Sequence, residues 1–386
     1  MQRVSLTRSL RITTRRRRAN VETRIWRHFD PLLLLSMVLL VVFGVAMVYS
    51  ATYQRSGVTV DPLVYRQAIY GVLGLLVFAA LSGLDYHVLA NFAWLLYAGC
   101  IGSLVLVLVV GRVLHGAQRW IQFAGWQFQP SEVAKLFVIL ALSQFLAKYR
   151  DELKRPAVVG ISFLIAALPA GLVLLQPDFG TATVYLGIWL AVTYVAGVPY
   201  RYFLGLLAVA LAAAPVAWLT MQGYQRQRIL TFLNPQSDPL GDGYNAIQAL
   251  ISVGSGGALG RGFLSGSQSQ LHFLRVQYAD FIFSVVGEEL GFLGVTGMLL
   301  LFALLLLRGL RAARVSRETF GRLLCCGVVA AIAYQLVVNV GMNVGLLPVT
   351  GIPLPMISFG GTSLVTFMGS LGILESVIMH HRKFGF

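Results

Sequence analysis

Long runs of apolar residues, separated by short polar segments, occupy the chain from about residue 31 onward. Several runs exceed about 18 residues, which is the length that a helix needs to cross the hydrocarbon core of a membrane. We therefore predict an all-α polytopic membrane protein in which residues 31–386 form a single transmembrane domain. Its ten predicted transmembrane helices cover about 32–50, 67–83, 88–110, 131–147, 156–175, 179–197, 202–221, 281–307, 321–345 and 360–379.

The polar segments between these spans differ in charge, and the difference predicts the orientation. Cytoplasmic segments of membrane proteins carry an excess of Lys and Arg. If the N-terminus lies inside, the inner segments hold 21 of the 30 Lys and Arg residues, and the outer segments hold eight. We therefore expect both termini to be cytoplasmic, with a large extracytoplasmic loop, 222–280, between spans seven and eight.

The predicted outer loop 222–280 has two parts with different patterns. Residues 224–233 alternate basic and apolar positions, which is typical of a helix that lies on a membrane surface. The part that follows is rich in Gly, Pro and Ser, which predicts short interfacial helices with flexible joints. A loop of this kind is suited to form the wall of a groove for a lipid headgroup.

Composition supports the membrane assignment and narrows the class of partner. Only 12% of the residues are charged, whereas soluble domains are usually about a quarter charged. The net charge of +15 is concentrated near the N-terminus, where nine basic residues lie in the first 30 positions. We interpret residues 1–30 as a basic cytoplasmic tail that lies on anionic lipid, and we expect no nucleic-acid partner.

Metal binding has little support in the sequence. The three cysteines lie in apolar runs without metal-ligand spacing, so we expect no metal centre. Asp238 and Asp242 lie close together, which leaves a divalent cation open, although DPLGDG is first of all typical of a turn.

Three charged residues lie where outer segments meet apolar helices. Glu132 and Lys135 are three positions apart and share one helical face, so we expect a buried ion pair that also forms the floor of a polar cavity. Asp178 follows the helix-breaking Pro177, which suits either a cap on Thr181 or a role in binding.

The uncharged segment 346–359 is rich in Pro and Gly and predicts a re-entrant loop buried in protein.

Asp280 lies where the long outer loop meets the eighth predicted span, in QYADFIFS. An Asp at this position is typical of an N-cap, because its carboxylate accepts backbone amides at the start of a helix. Spacing alone leaves the cap and a catalytic role both open. Glu288 and Glu289 follow within the same span, and we expect them to line a cavity or to hydrogen-bond across helices, since carboxylates facing lipid are costly.

Five stretches of the sequence together resemble the SEDS family of membrane proteins (shape, elongation, division and sporulation), which includes RodA and FtsW. The stretches are RWIQFAGWQFQPSEVAK, LLQPDFGTA, YQRQRILTFLNPQSDPLGDGYNAIQALISVGSGGALGRGF, DFIFSVVGEELGFLG and GLLPVTGIPLPMISFGGTS. They occur in the family's order over about 32–380, and GYNAIQALISVGSGGALGRGFLSGSQSQLHFL is most similar to the elongation-type branch. The resemblance implies a ten-span peptidoglycan glycosyltransferase that polymerises lipid II on the outer face of the bacterial plasma membrane. It also implies a class B penicillin-binding protein as the transpeptidase partner.

The resemblance implies roles for individual residues as well. The family's essential acid lies in a motif that typically reads Pro-Glu-x-His-Thr-Asp-Phe-Ile-Phe, and Asp280 matches its Asp. The segment 275–279 differs from that motif, so the family's Glu and His are absent here. Glu132 and Lys135 match the family's buried pair, and Asp178 matches the Asp of its Gln-Pro-Asp turn.

These observations predict a glycan polymerase in which Asp280 is the general base for the acceptor hydroxyl. The predicted binding residues for lipid II and its pyrophosphate are Arg119, Glu132, Lys135, Asp178, Arg226, Arg228 and Arg261. Three alternatives stay open, namely a lipid II flippase or other transporter of a lipid-linked substrate, a division-type polymerase, and a scaffold that only docks a partner. A flippase predicts polar residues through the full membrane depth, whereas those of this chain crowd the outer half.

Overall fold

The computed structural model describes residues 28–53, 60–114, 117–123, 126–221, 223–239, 241, 243–271, 273–274 and 277–380. The predicted basic tail therefore lies almost entirely outside the described residues, as do Asp242 and Arg275. The predicted division into a tail and one transmembrane domain, and the predicted cytoplasmic location of both termini, remain predictions.

Thirteen α-helices occur in the described residues. They are α1 Pro31–Thr52, α2 Pro62–Gly83, α3 Tyr86–Val110, α4 Pro130–Lys148, α5 Pro156–Leu175, α6 Phe179–Ala196, α7 Tyr200–Thr220, α8 Gly223–Leu233, α9 Tyr244–Ser255, α10 Ser267–Gln270, α11 Ile282–Val315, α12 Thr319–Asn343 and α13 Gly361–His380. Within the described ranges, nine helices (α1–α6 and α11–α13) are long and apolar enough to cross a membrane. The remaining predicted span is α7, whose apolar stretch, Tyr200–Val216, is shorter. The all-α polytopic fold is thus confirmed.

Proline and aspartate set the starts of the first two spans. In α2, the Asp61 carboxylate accepts a hydrogen bond from the Leu63 amide at 2.7 Å, and Pro62 occupies the first turn. Proline suits this position because its missing N–H would have no partner inside the helix. The predicted start at residue 67 was wrong by five residues, since it followed hydropathy alone.

Strands, which hydropathy did not predict, lie between α3 and α4. They form a small antiparallel sheet of three strands, β1 Arg112–Leu114, β2 Ala117–Phe123 and β3 Trp126–Phe128. Strand β2 is central and pairs with both neighbours, with Trp120 opposite Arg112 and Ile121 opposite Phe128. The sheet lies between the C-terminal end of α3 and the N-terminal end of α4, and Arg119 lies in β2 at a shift in the register with β1.

The spans pack through close helix contacts. Helix α13 lies along α2, α11 packs against α1 and α12, and α12 packs against α4 and α6. A Cβ atom at Gly372 in α13 would lie 2.6 Å from the Phe78 carbonyl oxygen of α2. Glycine at this position therefore permits the close approach, as small residues commonly do between membrane helices.

Helix α11 breaks at Gly291, where φ is 63° and ψ is −161°. The turn 256–262, which we call the inserted turn, fills the break. The Glu288 and Glu289 carbonyls accept hydrogen bonds from the amides of Arg261 and Gly262, both at 3.0 Å. On the other side of the break, the Phe292 amide donates to the Gly257 carbonyl at 2.9 Å. The interruption, which a continuous apolar run did not predict, thus keeps its backbone groups paired inside the protein.

The segment between α12 and α13 forms the predicted re-entrant loop. It contains no helix from residue 344 to residue 360, and Ile352, Leu354 and Ile357 are almost completely buried. The Gln67 side-chain amide of α2 donates to the Ser358 carbonyl at 3.2 Å. The burial of this loop is confirmed, and its hydrogen bonds place it beside residues 278–280.

Candidate functional site

A polar cavity of about 310 Å³ lies where the N-terminal ends of α2, α4 and α6 meet the small sheet and the re-entrant loop. Its charged lining residues come from six separate parts of the chain. They are Arg66, Arg119, Glu132, Asp178, Arg228 and Asp280. Three guanidinium groups and three carboxylates therefore surround one cavity, a charge pattern suited to an anionic ligand and a proton acceptor.

Asp280 lies on this cavity, two residues before α11 begins. Of the two roles left open for it, the N-cap is not observed, because Phe281 holds the cap position and no side chain of the described residues caps this helix. Instead, the carboxylate faces the cavity and accepts no hydrogen bond from the described residues, while Arg119 and Arg228 act on it through charge. Burial raises the pKa of Asp280 to about 6, and the positive charge of Arg119 partly opposes this rise.

Arg119 and Asp178 form an ion pair on the cavity wall. The Arg119 Nη1 atom lies 3.4 Å from the Asp178 Oδ2 atom. Asp178 also accepts hydrogen bonds from the Thr181 amide at 3.1 Å and the Thr181 hydroxyl at 3.0 Å, which confirms the predicted cap on α6. Asp178 is thus held rigidly and orients Arg119, whose Nε atom is buried without a partner.

Glu132 and Lys135 form the predicted buried ion pair in the first two turns of α4. The Lys135 Nζ atom lies 2.7 Å from the Glu132 Oε2 atom, and each residue is 3% exposed. The ammonium group also lies 5.5 Å from the centre of the Phe367 ring of α13, within the range of a cation–π contact. Glu132 lines the cavity, so the pair forms part of its wall and ties α4 to α13.

The remaining predicted arginines are separated from one another. Arg228 lines the polar cavity and also a second, larger cavity of about 730 Å³ between α8, α9 and the end of α12. Arg226 donates to the Leu219 carbonyl at 2.6 Å, and Arg261 donates to the Ser255 carbonyl and the Ser267 hydroxyl. Neither Arg226 nor Arg261 is among the cavity's lining residues, so the binding role predicted for them has no support from this geometry.

Arg66 and Tyr278 are two polar lining residues of the cavity that the sequence did not single out. Arg66 adds a third cation, although hydropathy had placed it in a connecting segment just outside span two. Tyr278 adds a phenol two residues before Asp280. Burial, assisted by the negative charges of Asp61 and Asp280, raises the pKa of Tyr278, so its hydroxyl stays protonated as a donor at neutral pH.

The interpretation of DPLGDG as a turn is supported by Asp238, whose Oδ1 atom accepts a hydrogen bond from the Gly241 amide at 3.1 Å. The other acid of this segment, Asp242, lies outside the described residues. Within the part of the chain that the structure describes, no group of three or more His, Cys, Asp and Glu residues is arranged to hold a metal ion.

Comparison with known proteins identifies the family. The model of the cell cycle proteins FtsW, RodA and SpoVE matches residues 30–383. The chain belongs to this family. It is 38% identical to the peptidoglycan glycosyltransferase MrdB of Escherichia coli K12, over 92% of this chain and 95% of that protein. It is 37% identical to a probable peptidoglycan glycosyltransferase FtsW of Geobacter metallireducens, over 90% of this chain and 94% of that protein.

A solved structure supports the same family fold. One chain of a peptidoglycan synthase complex, described for its coordination of polymerization and crosslinking, matches 92% of this chain and 99% of its own length. The identity is 34% and the TM-score is 0.77. Family membership and the nine apolar helices among the described residues make this chain a multi-pass bacterial membrane protein.

Proposed function

We propose that this family member is a peptidoglycan glycosyltransferase that polymerises lipid II into glycan strands for cell elongation. The observation that carries the proposal is the polar cavity, in which the carboxylate of Asp280 shares one space with three guanidinium groups. The relatives named peptidoglycan glycosyltransferase support the same activity.

The reaction joins a growing lipid-linked glycan, the donor, to lipid II, the acceptor. A sugar hydroxyl of the acceptor attacks the anomeric carbon of the donor, a new glycosidic C–O bond forms, and the bond from that carbon to the pyrophosphate breaks. Asp280 takes the hydroxyl proton, which makes the oxygen a better nucleophile. Undecaprenyl pyrophosphate leaves with the electron pair of the broken bond.

The cavity's charges suit both halves of this reaction. With a pKa of about 6, Asp280 is ionised at neutral pH yet remains basic enough to accept a proton. Arg66, Arg119 and Arg228 can neutralise the negative charge that develops on the leaving pyrophosphate. The ion pair with Asp178 holds Arg119 in place before substrate binds, so less ordering is needed during the reaction.

The test is glycan synthesis from lipid II by the purified full-length protein. Asp280→Asn and Asp280→Ala should each lower the polymerisation rate about 10²- to 10⁴-fold, the usual contribution of a general base. Asp61→Asn is the matched control, because Asp61 is another acid near the outer side whose role is to cap α2. Near-normal synthesis by both Asp280 variants would overturn the proposed general base.

The same preparation in liposomes separates polymerase from flippase. Lipid II translocation without any glycan product would favour the transporter, which the crowding of polar residues into the outer half does not support. Elongation and division are distinguished by depleting the protein in its host: rounded cells are expected from loss of elongation, and filaments from loss of division. A class B penicillin-binding protein is the proposed partner, and its co-purification with this chain from detergent-solubilised membranes would support the assignment.

A further inference from the structure

Three consecutive backbone carbonyls, those of residues 278–280, each accept a hydrogen bond from the region around the re-entrant loop. The Phe359 amide donates to the Tyr278 carbonyl at 2.9 Å. The Ser358 hydroxyl donates to the Ala279 carbonyl at 2.6 Å. The Asn339 side-chain amide of α12 donates to the Asp280 carbonyl at 3.0 Å. The backbone that carries the Asp280 carboxylate is therefore fixed at each of its last three peptide units before α11.

The donor side chains are themselves held in place. Asn339 is fully buried, and its Nδ2 atom also donates to the Ile352 carbonyl at 2.8 Å, so one amide joins the re-entrant loop to Asp280. The Ser358 hydroxyl accepts a hydrogen bond from the Leu354 amide at 2.8 Å. Asn343 supports the arrangement from the next turn of α12, since it donates to the Asp280 carbonyl at 3.2 Å and accepts from the Ser284 hydroxyl at 2.6 Å.

These contacts matter because the carboxylate has no anchor of its own. No described residue donates a hydrogen bond to it, and it does not cap α11. The Asp280 carbonyl is also not used by the first turn of the helix, because the Ser284 amide donates to Phe281 instead. The position of the carboxylate in the cavity therefore depends on its main chain, and its main chain depends on Asn339 and Ser358.

We propose that Asn339 and Ser358 are positioning residues, which hold the Asp280 carboxylate at the reacting atoms by binding the backbone that carries it. The inference rests on the proposed role of Asp280 as general base. Misplacing a catalytic group by about 1 Å can lower a rate by about 100-fold, so small changes in these hydrogen bonds should be visible in kcat. Substrate binding by the arginines should be little affected, because none of the described hydrogen bonds of Asn339 and Ser358 involves an arginine.

The experiment measures kcat, KM and the pH dependence of lipid II polymerisation for Asn339→Leu, Asn339→Asp and Ser358→Ala. Asn339→Leu and Ser358→Ala should lower kcat about 10- to 100-fold while KM changes less than about twofold. Asn339→Asp keeps the shape but removes the donor, and it should resemble Asn339→Leu. The acid limb of the pH profile should move in these variants, because the carboxylate shifts relative to Arg119, whose charge acts on it. Ser358→Thr keeps the hydroxyl and should restore most of kcat.

The matched control is Gln335→Leu. Gln335 is a buried amide one turn earlier on α12, and within the described residues no hydrogen bond joins it to residues 278–280. It should keep the wild-type kcat and acid limb, whereas an equal loss of kcat in Gln335→Leu and Asn339→Leu would overturn positioning in favour of general helix damage. If Asp280→Asn is inactive but Asn339→Leu and Ser358→Ala keep the wild-type kcat and pH profile, the positioning role is overturned. The proposed role of Asp280 would stand. Activity in Asp280→Asn would instead overturn the proposed function on which it rests.

Discussion

Asp280 and the pair Glu288 and Glu289 lie within ten residues of one another, yet their carboxylates have opposite surroundings. Glu289 accepts hydrogen bonds from the Ser50 hydroxyl, the Leu264 amide, the Ser269 hydroxyl and the Gln270 side chain. Glu288 accepts from the Gln268 and Ser269 amides and from the Ser267 hydroxyl. Asp280, in contrast, accepts no hydrogen bond from the described residues and faces the cavity.

The difference separates a structural carboxylate from an available one. Glu288 and Glu289 use their oxygens to hold the segment 264–270, which follows the inserted turn, against α11. Neither is among the lining residues of the polar cavity. Asp280 keeps its oxygens free because hydrogen bonds to its backbone, rather than to its carboxylate, hold it in place. Of these three carboxylates, the one available for chemistry is therefore the one whose position is secured by hydrogen bonds to its backbone.

The largest expected effect is on stability, and it comes from removing a structural carboxylate, that of Glu289. Glu289→Leu removes the described acceptor of the Ser50 hydroxyl and of the Leu264 amide, and each buried group left unpaired costs about 1–3 kcal/mol. It also removes one of two acceptors from the Ser269 hydroxyl and from the Gln270 side chain. We expect a large fall in the thermal unfolding temperature in detergent, with a smaller fall for Glu289→Gln, which keeps one oxygen. An unchanged unfolding temperature in Glu289→Leu would mean that these contacts do not secure the segment 264–270.

The second effect concerns the pH dependence of the available carboxylate. Because the pKa of Asp280 is raised to about 6, the base is lost by protonation below that pH. The polymerisation rate should be half-maximal near pH 6 and fall about tenfold per pH unit below it. A rate that stays constant down to about pH 5 would contradict the assignment. Glu289→Gln provides the control, since it should leave the position of this limb unchanged.

Family motifs and hydropathy predicted much of this arrangement, and the reasons for the failures are physical. Apolar runs located the nine helices of the described residues that are long and apolar enough to cross a membrane, since burial in lipid requires such runs. The tenth predicted span coincides with α7, whose apolar stretch is shorter. The break at Gly291 was missed, because an inserted turn that supplies hydrogen bonds from a distant segment leaves no trace in hydropathy. The N-cap role that was left open for Asp280 is not observed. The tertiary hydrogen bonds that hold its backbone, from Asn339 to the Asp280 carbonyl and from Ser358 to the Ala279 carbonyl, leave no signature in the local sequence.

The separation of the arginines shows the same limit. Arg226, Arg228 and Arg261 have equal standing in the sequence as outer cations, yet only Arg228 among them reaches the cavity. Arg66 reaches it from a helix that packs against α13. Which cations converge is decided by how the segments fold back on one another, and the spacing of residues along the chain does not contain that information.

The third effect is again on stability. Removing the Asp280 carboxylate should raise the unfolding temperature, whereas removing that of Glu289 should lower it. Its folded-state pKa of about 6 exceeds the value of about 3.9 for an unfolded Asp, so ionisation destabilises the folded state as pH rises through this window. Asp280→Asn lacks this cost and should unfold at a slightly higher temperature than the wild type at pH 7. The difference should disappear below about pH 4, where Asp280 is protonated in both states. A lower unfolding temperature for Asp280→Asn at pH 7 would show that the carboxylate supports the fold, as Glu289 does.

The smallest expected effect is a shift of the acid limb of the pH profile when a charge near Asp280 is removed. Arg119 lowers the pKa of Asp280 and Asp178 raises it, so their removal should move the acid limb in opposite directions. Arg119→Gln should shift the limb to higher pH. Asp178→Asn should shift it to lower pH, both because a negative charge is lost and because Arg119 is released from its ion pair. Asn at position 178 still offers an oxygen to the Thr181 amide, so the cap on α6 is retained.

The comparison is between the two limb positions and not between the rates, since Arg119→Gln also removes a cation from the cavity. Shifts of the same sign would mean that the acid limb belongs to a group other than Asp280.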